Sequence, residues 1–184
     1  MARLIMWNLV TLDGYTEGPG HDLSWHNDVW GDELEQLSIE QLKSAGGLLF
    51  GRLTYELMAG YWPNKTGEVA DFINALPKFV FSRTLSGSDW TNTAIYKDDV
   101  AGTVARLKRE TAKDIFLFGS ADLSADLIAH GLIDQYRIGV CPVLLGKGTL
   151  LFKPGKRLKL KLIDSRPLST GIVISRYVTA AQQD

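Results

Sequence analysis

The sequence predicts an α/β fold: a mixed, mostly parallel central sheet with helices on both faces and a C-terminal antiparallel hairpin. Three observations carry that expectation. Apolar runs recur at residues 47–50, 78–81 and 115–118, and they are unbroken rather than alternating, as strands covered on both faces require. Segments with helical spacing separate them. The last quarter changes character, with strand-like segments at 158–164 and 172–178 around a turn-like PLSTG at 167–171.

The elements follow in order. Residues 3–11 (RLIMWNLVT) are mostly apolar and close on Asp13-Gly14, which predicts a strand running into a turn. A long loop holding Gly18, Pro19, Gly20, His21 and His26 comes next. Beyond it Leu34, Leu37 and Leu42, with Ala45 after them, fall near helical spacing, and Asn27 or Asp28 is the expected cap. The stretch 48–58 (LLFGRLTYELM) joins an apolar strand to a helix-like pattern through Gly51 and Arg52. Val100, Val104 and Leu107 predict a helix behind an Asp98-Asp99 cap, and Leu123 and Leu127 share a face of a helix that Gly131 ends. Tyr136, Ile138 and Val140 alternate with Arg137, Gly139 and Cys141. No repeat, low-complexity tract or linker divides the chain, so residues 1–184 read as one domain, with 18–20 and 146–155 as internal loops.

Composition removes several function classes. With 184 residues, 45% hydrophobic, 22% charged and a net charge of -1, the chain is ordinary for a globular protein and offers no basic surface to nucleic acid or an anionic membrane. The single cysteine, Cys141, excludes an intrachain disulfide. The start MARLIMWNLVTLDGY lacks the pattern of a signal peptide, and the apolar runs fall far short of the roughly 20 residues that span a bilayer, so the cytoplasm is the expected compartment.

The chemistry concentrates at strand ends. In an open parallel sheet, ligands bind beyond the carboxyl ends of the strands, where helix amino termini offer free N–H groups to anions. The second strand ends in Gly51-Arg52 with Thr54 one turn on, the third in Ser82-Arg83-Thr84, and the fourth in Gly119-Ser120-Ala121. Each is unremarkable alone, as a turn glycine, a helix cap or a surface arginine. Taken together they suit phosphate: glycines admit it to the backbone, hydroxyls add donors, and arginine pairs bidentately with a monoester. Arg52 is thereby placed to meet a ribose 2'-phosphate and to favour NADPH over NADH.

Other constellations are missing. His21, His26 and His130 have no zinc-type spacing, so no metal is expected, and neither a G-x-S-x-G elbow, a P-loop nor G-x-G-x-x-G occurs. Asp13 is the carboxylate placed to reach a pocket at the end of the first strand, though a plain Asp-Gly turn accounts for it somewhat better. Of the aromatics, Trp25 and Trp62 lie in loop-like segments where they suit stacking on a planar ring.

TLDGY at 11–15, LLFGRLTYE at 48–56, Trp62-Pro63, PKFVFSRTL at 77–85 and FGSADLSADLIAHGLIDQYRIGVCPVLLGKGTLLF at 118–152 resemble, in order and spacing, the dihydrofolate reductase-like proteins grouped with the C-terminal reductase domain of riboflavin biosynthesis, the RibD C-terminal family. The resemblance implies a dihydrofolate reductase-like fold, NADPH as cofactor and a homodimer. It implies that Gly51, Arg52 and Thr54 face the adenosine 2'-phosphate, with Ser82, Arg83 and Thr84 as a second adenosine-side segment. It also implies that Gly119, Ser120, Ala121, Asp122 and Leu123 take the pyrophosphate, and that Val10, Thr11 and Gly14 flank nicotinamide and substrate. Asp32 becomes a second candidate carboxylate, since the first helix lines the substrate cleft of this fold. Where uracil reductases carry a GxGTVRxDxP-like segment, this chain has FGRLTYELMAGYWP. The expected function is an NADPH-dependent reductase of a small pteridine-like or 5-amino-6-ribosylaminouracil-like heterocycle, with a non-catalytic NADPH-binding sensor or scaffold as the alternative.

Overall fold

The computed structural model describes residues 1–155 and 157–180; the last four residues of the expected domain lie outside that range. In chain order the strands are β1 (Leu4–Thr11), β2 (Tyr15–Glu17), β3 (Ala45–Gly51), β4 (Lys78–Phe81), β5 (Thr93–Tyr96), β6 (Asp114–Phe118), β7 (Gln135–Cys141), β8 (Thr149–Leu150), β9 (Leu160–Pro167) and β10 (Val173–Thr179). The helices are α1 (Asp32–Ser44), α2 (Arg52–Tyr61), α3 (Glu68–Ala75), α4 (Val100–Glu110) and α5 (Ala121–Ala129), with 3-10 turns at Ser24–Asp28 and Trp62–Asn64.

Unbroken apolar strands sort their side chains into two cores by the period of two along an extended chain. Ile5 and Trp7 of β1, Leu48 and Phe50 of β3 and Phe116 of β6 join Leu34, Leu37 and Leu42 of α1 on one face. Leu4 and Met6, Leu49, Ile115 and Leu117 join Val104 and Leu107 of α4 and Leu123 and Leu127 of α5 on the other. The eight-stranded sheet runs β5-β4-β3-β6-β1-β7-β10-β9. Pairing is parallel from β5 through β7, and β10 alone runs against its neighbours. The sheet is therefore mixed and mostly parallel, and the terminal hairpin is antiparallel, as the sequence predicts.

The helix ends behave as sequence chemistry dictates in two cases. Asp99 caps α4 by accepting from the Gly102 N–H at 3.0 Å. Gly131, at φ 64, closes α5, with Leu132 N–H bonded to Leu127 O and Gly131 N–H to Ile128 O, the paired bonds of a Schellman motif. The cap expected at Asn27 or Asp28 is not where α1 starts. Both residues belong to the Ser24–Asp28 turn, which buries Trp25, and α1 begins at Asp32 behind an extended Gly31. Asp32, Glu33 and Glu35 in its first turn complement the helix dipole in place of a side-chain cap.

Three further differences have physical causes. Helix α1 passes into β3 with no loop, since Ala45 directly after Ser44 is already extended and opens the strand; within it Gly47, where a Cβ would come 2.5 Å from the Phe79 ring, lets β3 lie close against that side chain. The alternation in β7 does not separate a wet face from a dry one: Gly139 and Cys141 are buried because β7 lies inside the sheet, between β1 and β10. Residues 146–155, expected as loop, contain β8, which pairs with β2 as a two-stranded ribbon. The ribbon hangs over the carboxyl edge of the sheet.

Candidate functional site

The strand order places β4, β3, β6 and β1 side by side, so the predicted strand ends share one edge. A cavity of about 500 Å³ opens there. Trp7, Asn8 and Leu9 of β1 form its floor, with Phe81 and Phe118 at the ends of β4 and β6. Its walls are the start of α2, residues 51–54, and the start of α5, residues 119–123. Ser38 and Gln41 of α1, His26 and Trp30 before it, and Thr16, Glu17 and Thr149 of the ribbon close the remaining side.

Two helix amino termini thus open on one cavity, each with N–H groups that have no partner inside the helix. They are held by a short hydrogen-bond chain. The Gly51 N–H donates to Ser120 Oγ at 2.7 Å, and Ser120 donates from both its N–H and its hydroxyl to Thr54 Oγ1 at 2.9 Å. Thr54 accepts twice, which leaves its own hydroxyl proton for a ligand oxygen. The Gly119 N–H donates to Asn8 Oδ1 at 2.7 Å, extending the β1–β6 ladder one step past its last pair, Trp7 with Phe118. Gly119 and Ser120 are both left-handed, at φ 54 and 60, which turns the chain from β6 into α5. Ser120 makes no cap bond for α5; its hydroxyl serves the α2 side instead.

This junction gives a direct prediction. A Cβ at Gly119 would sit 2.8 Å from Thr54 Oγ1 on a left-handed backbone. Gly119→Ala should cost more than about 1 kcal/mol, read as a drop of several degrees in the thermal midpoint, and should weaken any ligand held by the two helix starts.

Helix α2 is electrostatically unlike the other four. Acids stand in the first turns of α1, α3 and α5, and a side chain caps α4, whereas α2 has neither and begins with Arg52. A cation at the positive end of a helix is unfavourable until an anion binds between them. Arg52 pairs with Glu56 one turn on, Nη1 to Oε2 at 2.9 Å, with both side chains more than 40% exposed. Asp122 at the start of α5 is neutralised by Lys153.

The sequence candidates divide accordingly. Gly51, Arg52, Thr54, Gly119, Ser120, Ala121, Asp122, Leu123 and Trp62 line the cavity. Ser82 lies just past β4, where its hydroxyl accepts from the Leu85 N–H at 2.9 Å and turns the chain; Arg83 and Thr84 are exposed and outside the lining. Val10 is buried in the core, Thr11 donates to Asp13 and accepts from the Tyr15 N–H, and the Gly14 carbonyl accepts from Leu151, so these three also stand outside it. Asp13 is fully engaged: it accepts from Thr11 Oγ1 at 2.6 Å, Gly146 N–H at 2.7 Å and Leu145 N–H at 3.1 Å. The Thr11 hydroxyl above all, then those backbone donors, holds its carboxyl below the usual range. Asp13 therefore ties two loops together. Asp32 is exposed at the first turn of α1, and Trp25 is buried edge-on against His26 at 4.2 Å; neither reaches the lining.

Sequence reasoning missed Asn8, Gln41 and His26. Asn8 is the lone polar side chain between Leu4 and Leu9, and Gln41 interrupts the apolar stripe of α1, so a polar residue at an apolar position was the available signal. His26 sits deep enough that burial pushes its pKa down to about 4, leaving the ring neutral.

Comparison with known proteins places the chain in a family. The RibD C-terminal domain model matches residues 2–174. The uncharacterized protein YyaP of Bacillus subtilis (strain 168) is 34% identical over 182 residues, covering 93% of this chain and 92% of YyaP. A crystal structure from Shewanella sp. PV-4, named for riboflavin biosynthesis, superposes with a TM-score of 0.79 at 21% identity over 98% of this chain and 100% of that one. Dihydrofolate reductase from Enterococcus faecalis complexed with NADP(H) superposes at 0.66 with 12% identity, over 98% and 97%, so the fold is dihydrofolate reductase-like. The chain belongs to the RibD C-terminal domain family.

Proposed function

We propose that the protein is an NADPH-dependent reductase of a small heterocycle. The observation that carries this reading is the pair of helix starts opening on one cavity, with Arg52 at the uncapped start of α2. The residues present fit a dinucleotide with three phosphates. The free N–H groups of Ala121, Asp122 and Leu123 and the spare Thr54 proton suit a pyrophosphate, while Arg52 suits the 2'-phosphate. A bound nicotinamide supplies the hydride.

The chain's own residues do the rest. Trp62, fixed by its Nε1–H to Met58 Sδ at 3.0 Å, and Trp7 wall off water around the reacting rings. Among the described residues Glu17 is the lining carboxylate with no lysine or arginine partner, held by the Thr149 hydroxyl at 2.8 Å and His21 at 3.0 Å. It is the carboxylate placed to accept a hydrogen bond from the substrate. The outer strand β9 leaves Leu162 and Ile163 about half exposed, which supports pairing of two copies along that edge as a homodimer.

The test is a titration with NADPH and NADH followed by nicotinamide fluorescence, then NADPH oxidation across pterins, dihydrofolate and aminouracils. The expected result is NADPH binding with turnover on at least one ring. Absence of binding overturns the reading, and tight binding without turnover moves it to a cofactor sensor.

A further inference from the structure

Two amide side chains in the cavity are locked in one orientation by groups that can only donate. Asn8 Oδ1 accepts the Gly119 N–H at 2.7 Å, and Gln41 Oε1 accepts from Arg137 Nη1 at 3.0 Å. Neither a backbone N–H nor a guanidinium accepts a hydrogen bond, so each amide must turn its oxygen to the protein. The NH2 groups are what remain. Asn8 and Gln41 are only 6% and 5% exposed and line the cavity; their Nδ2 and Nε2 atoms are closed off from solvent and have no partner among the described residues, so a ligand acceptor reaches them only as the surrounding side chains give way. A buried donor without an acceptor is costly, and a ligand with acceptors at those two points removes the cost twice.

The mouth of the same cavity is apolar. Leu23, Trp30, Leu53 and Leu57 all line it, and each is more than a third exposed. Among the described lining residues Arg52 is the one permanent cation, and the cofactor reading uses it. A substrate phosphate would meet leucine and tryptophan with no cation to pair it.

We propose that the substrate is an uncharged planar ring presenting two hydrogen-bond acceptors to Asn8 and Gln41, with an apolar, unphosphorylated substituent lying on the leucine and tryptophan rim. The proposal rests on the reductase reading and narrows its substrate class. Arg137, stacked over the Phe116 ring at 5.3 Å and bonded to Gln135 Oε1 at 2.6 Å, is a positioning residue for Gln41.

The experiment compares two fluorescent pteridines on the NADPH-loaded protein. Lumazine carries carbonyl acceptors where 2,4-diaminopteridine carries amino donors. Wild type should prefer lumazine. Gln41→Glu keeps an acceptor for Arg137, stays ionised beside that guanidinium, and turns a donor toward the ring into an acceptor. It should weaken lumazine by about tenfold or more and tighten the diamine, with NADPH affinity unchanged. Asn8→Asp, read at pH 8, should shift the preference the same way. In parallel, uridine should bind at least as well as uridine 5'-monophosphate. An unshifted ring preference in a variant that still binds NADPH overturns the inference while leaving the reductase reading intact, as does tighter binding of the monophosphate. Loss of NADPH binding in wild type fails the reductase reading instead, and the ring preference measured without cofactor then decides the amide assignment alone.

Discussion

Arg52→Ala should reduce NADPH affinity by about ten- to a hundredfold and leave NADH affinity unchanged. A hydrogen bond to a charged group is worth about 1.5 to 3 kcal/mol, and each 1.4 kcal/mol is a factor of ten in binding. Two features pull the expectation toward the lower end. The Arg52 side chain is 42% exposed, and Glu56 already holds it at 2.9 Å, so binding a phosphate means exchanging one partner for another. That exchange costs little, because an exposed ion pair of this kind is worth about 1 kcal/mol or less. Glu56→Gln should accordingly raise NADPH affinity severalfold, and both effects should fade with added salt. Fluorescence titrations of the three proteins with both cofactors at low and high salt check this. Equal loss of NADPH and NADH in Arg52→Ala would place the arginine on the pyrophosphate rather than the 2'-phosphate. Neither variant touches the core, so the thermal midpoint serves as the control for folding.

What the sequence made legible follows from the kind of signal each element carries. Strands β3, β4 and β6 lie inside the sheet and carry the apolar runs 48–50, 79–81 and 115–118, which stand out against polar flanks. The edge strand β5 (TAIY) is four half-buried residues between turns, and nothing in so short a run separates it from loop. The glycine, hydroxyl and arginine residues after β3 and β6 were readable because anion chemistry demands those types at those places. The β1 side of the site was read two residues too late. Val10 and Thr11 pair with Val140 and Cys141 of β7, and Leu12 continues that contact to Val143, so the end of the strand is covered. The cavity begins where β6 stops pairing, at Trp7 and Phe118, and strand register is a tertiary fact that residue order does not state. Asp13 misled for a related reason: its partners Leu145 and Gly146 are more than 130 residues away.

His26 should make the protein lose about 3 kcal/mol of stability between pH 6.5 and pH 4. Burial depresses its folded pKa from 6.5 to about 4, and at 1.36 kcal/mol per pH unit the gap sets that magnitude. The sign follows from proton counting. Below pH 6.5 the unfolded chain takes up a proton that the folded chain refuses until about pH 4, so acid favours unfolding throughout that window. Carboxylates held below their usual values, Asp13, Asp22, Glu33 and Asp114, withdraw their contributions as pH falls through the ordinary carboxylate range of the unfolded chain toward their lowered folded values. His26→Phe removes the titration and forfeits no hydrogen bond at Nε2, which has no partner. Urea midpoints at pH 7 and pH 4.5 should fall steeply in the native protein and stay nearly level in the variant. A wild-type slope retained in His26→Phe would assign the acid sensitivity to other groups. Because His26 lies edge-on to the buried Trp25 at 4.2 Å, the 3-10 turn at the cavity wall is where protonation acts first. Tryptophan emission should therefore change at a higher pH than the far-ultraviolet signal of the sheet, and ligand binding should fail with the emission change rather than with global unfolding.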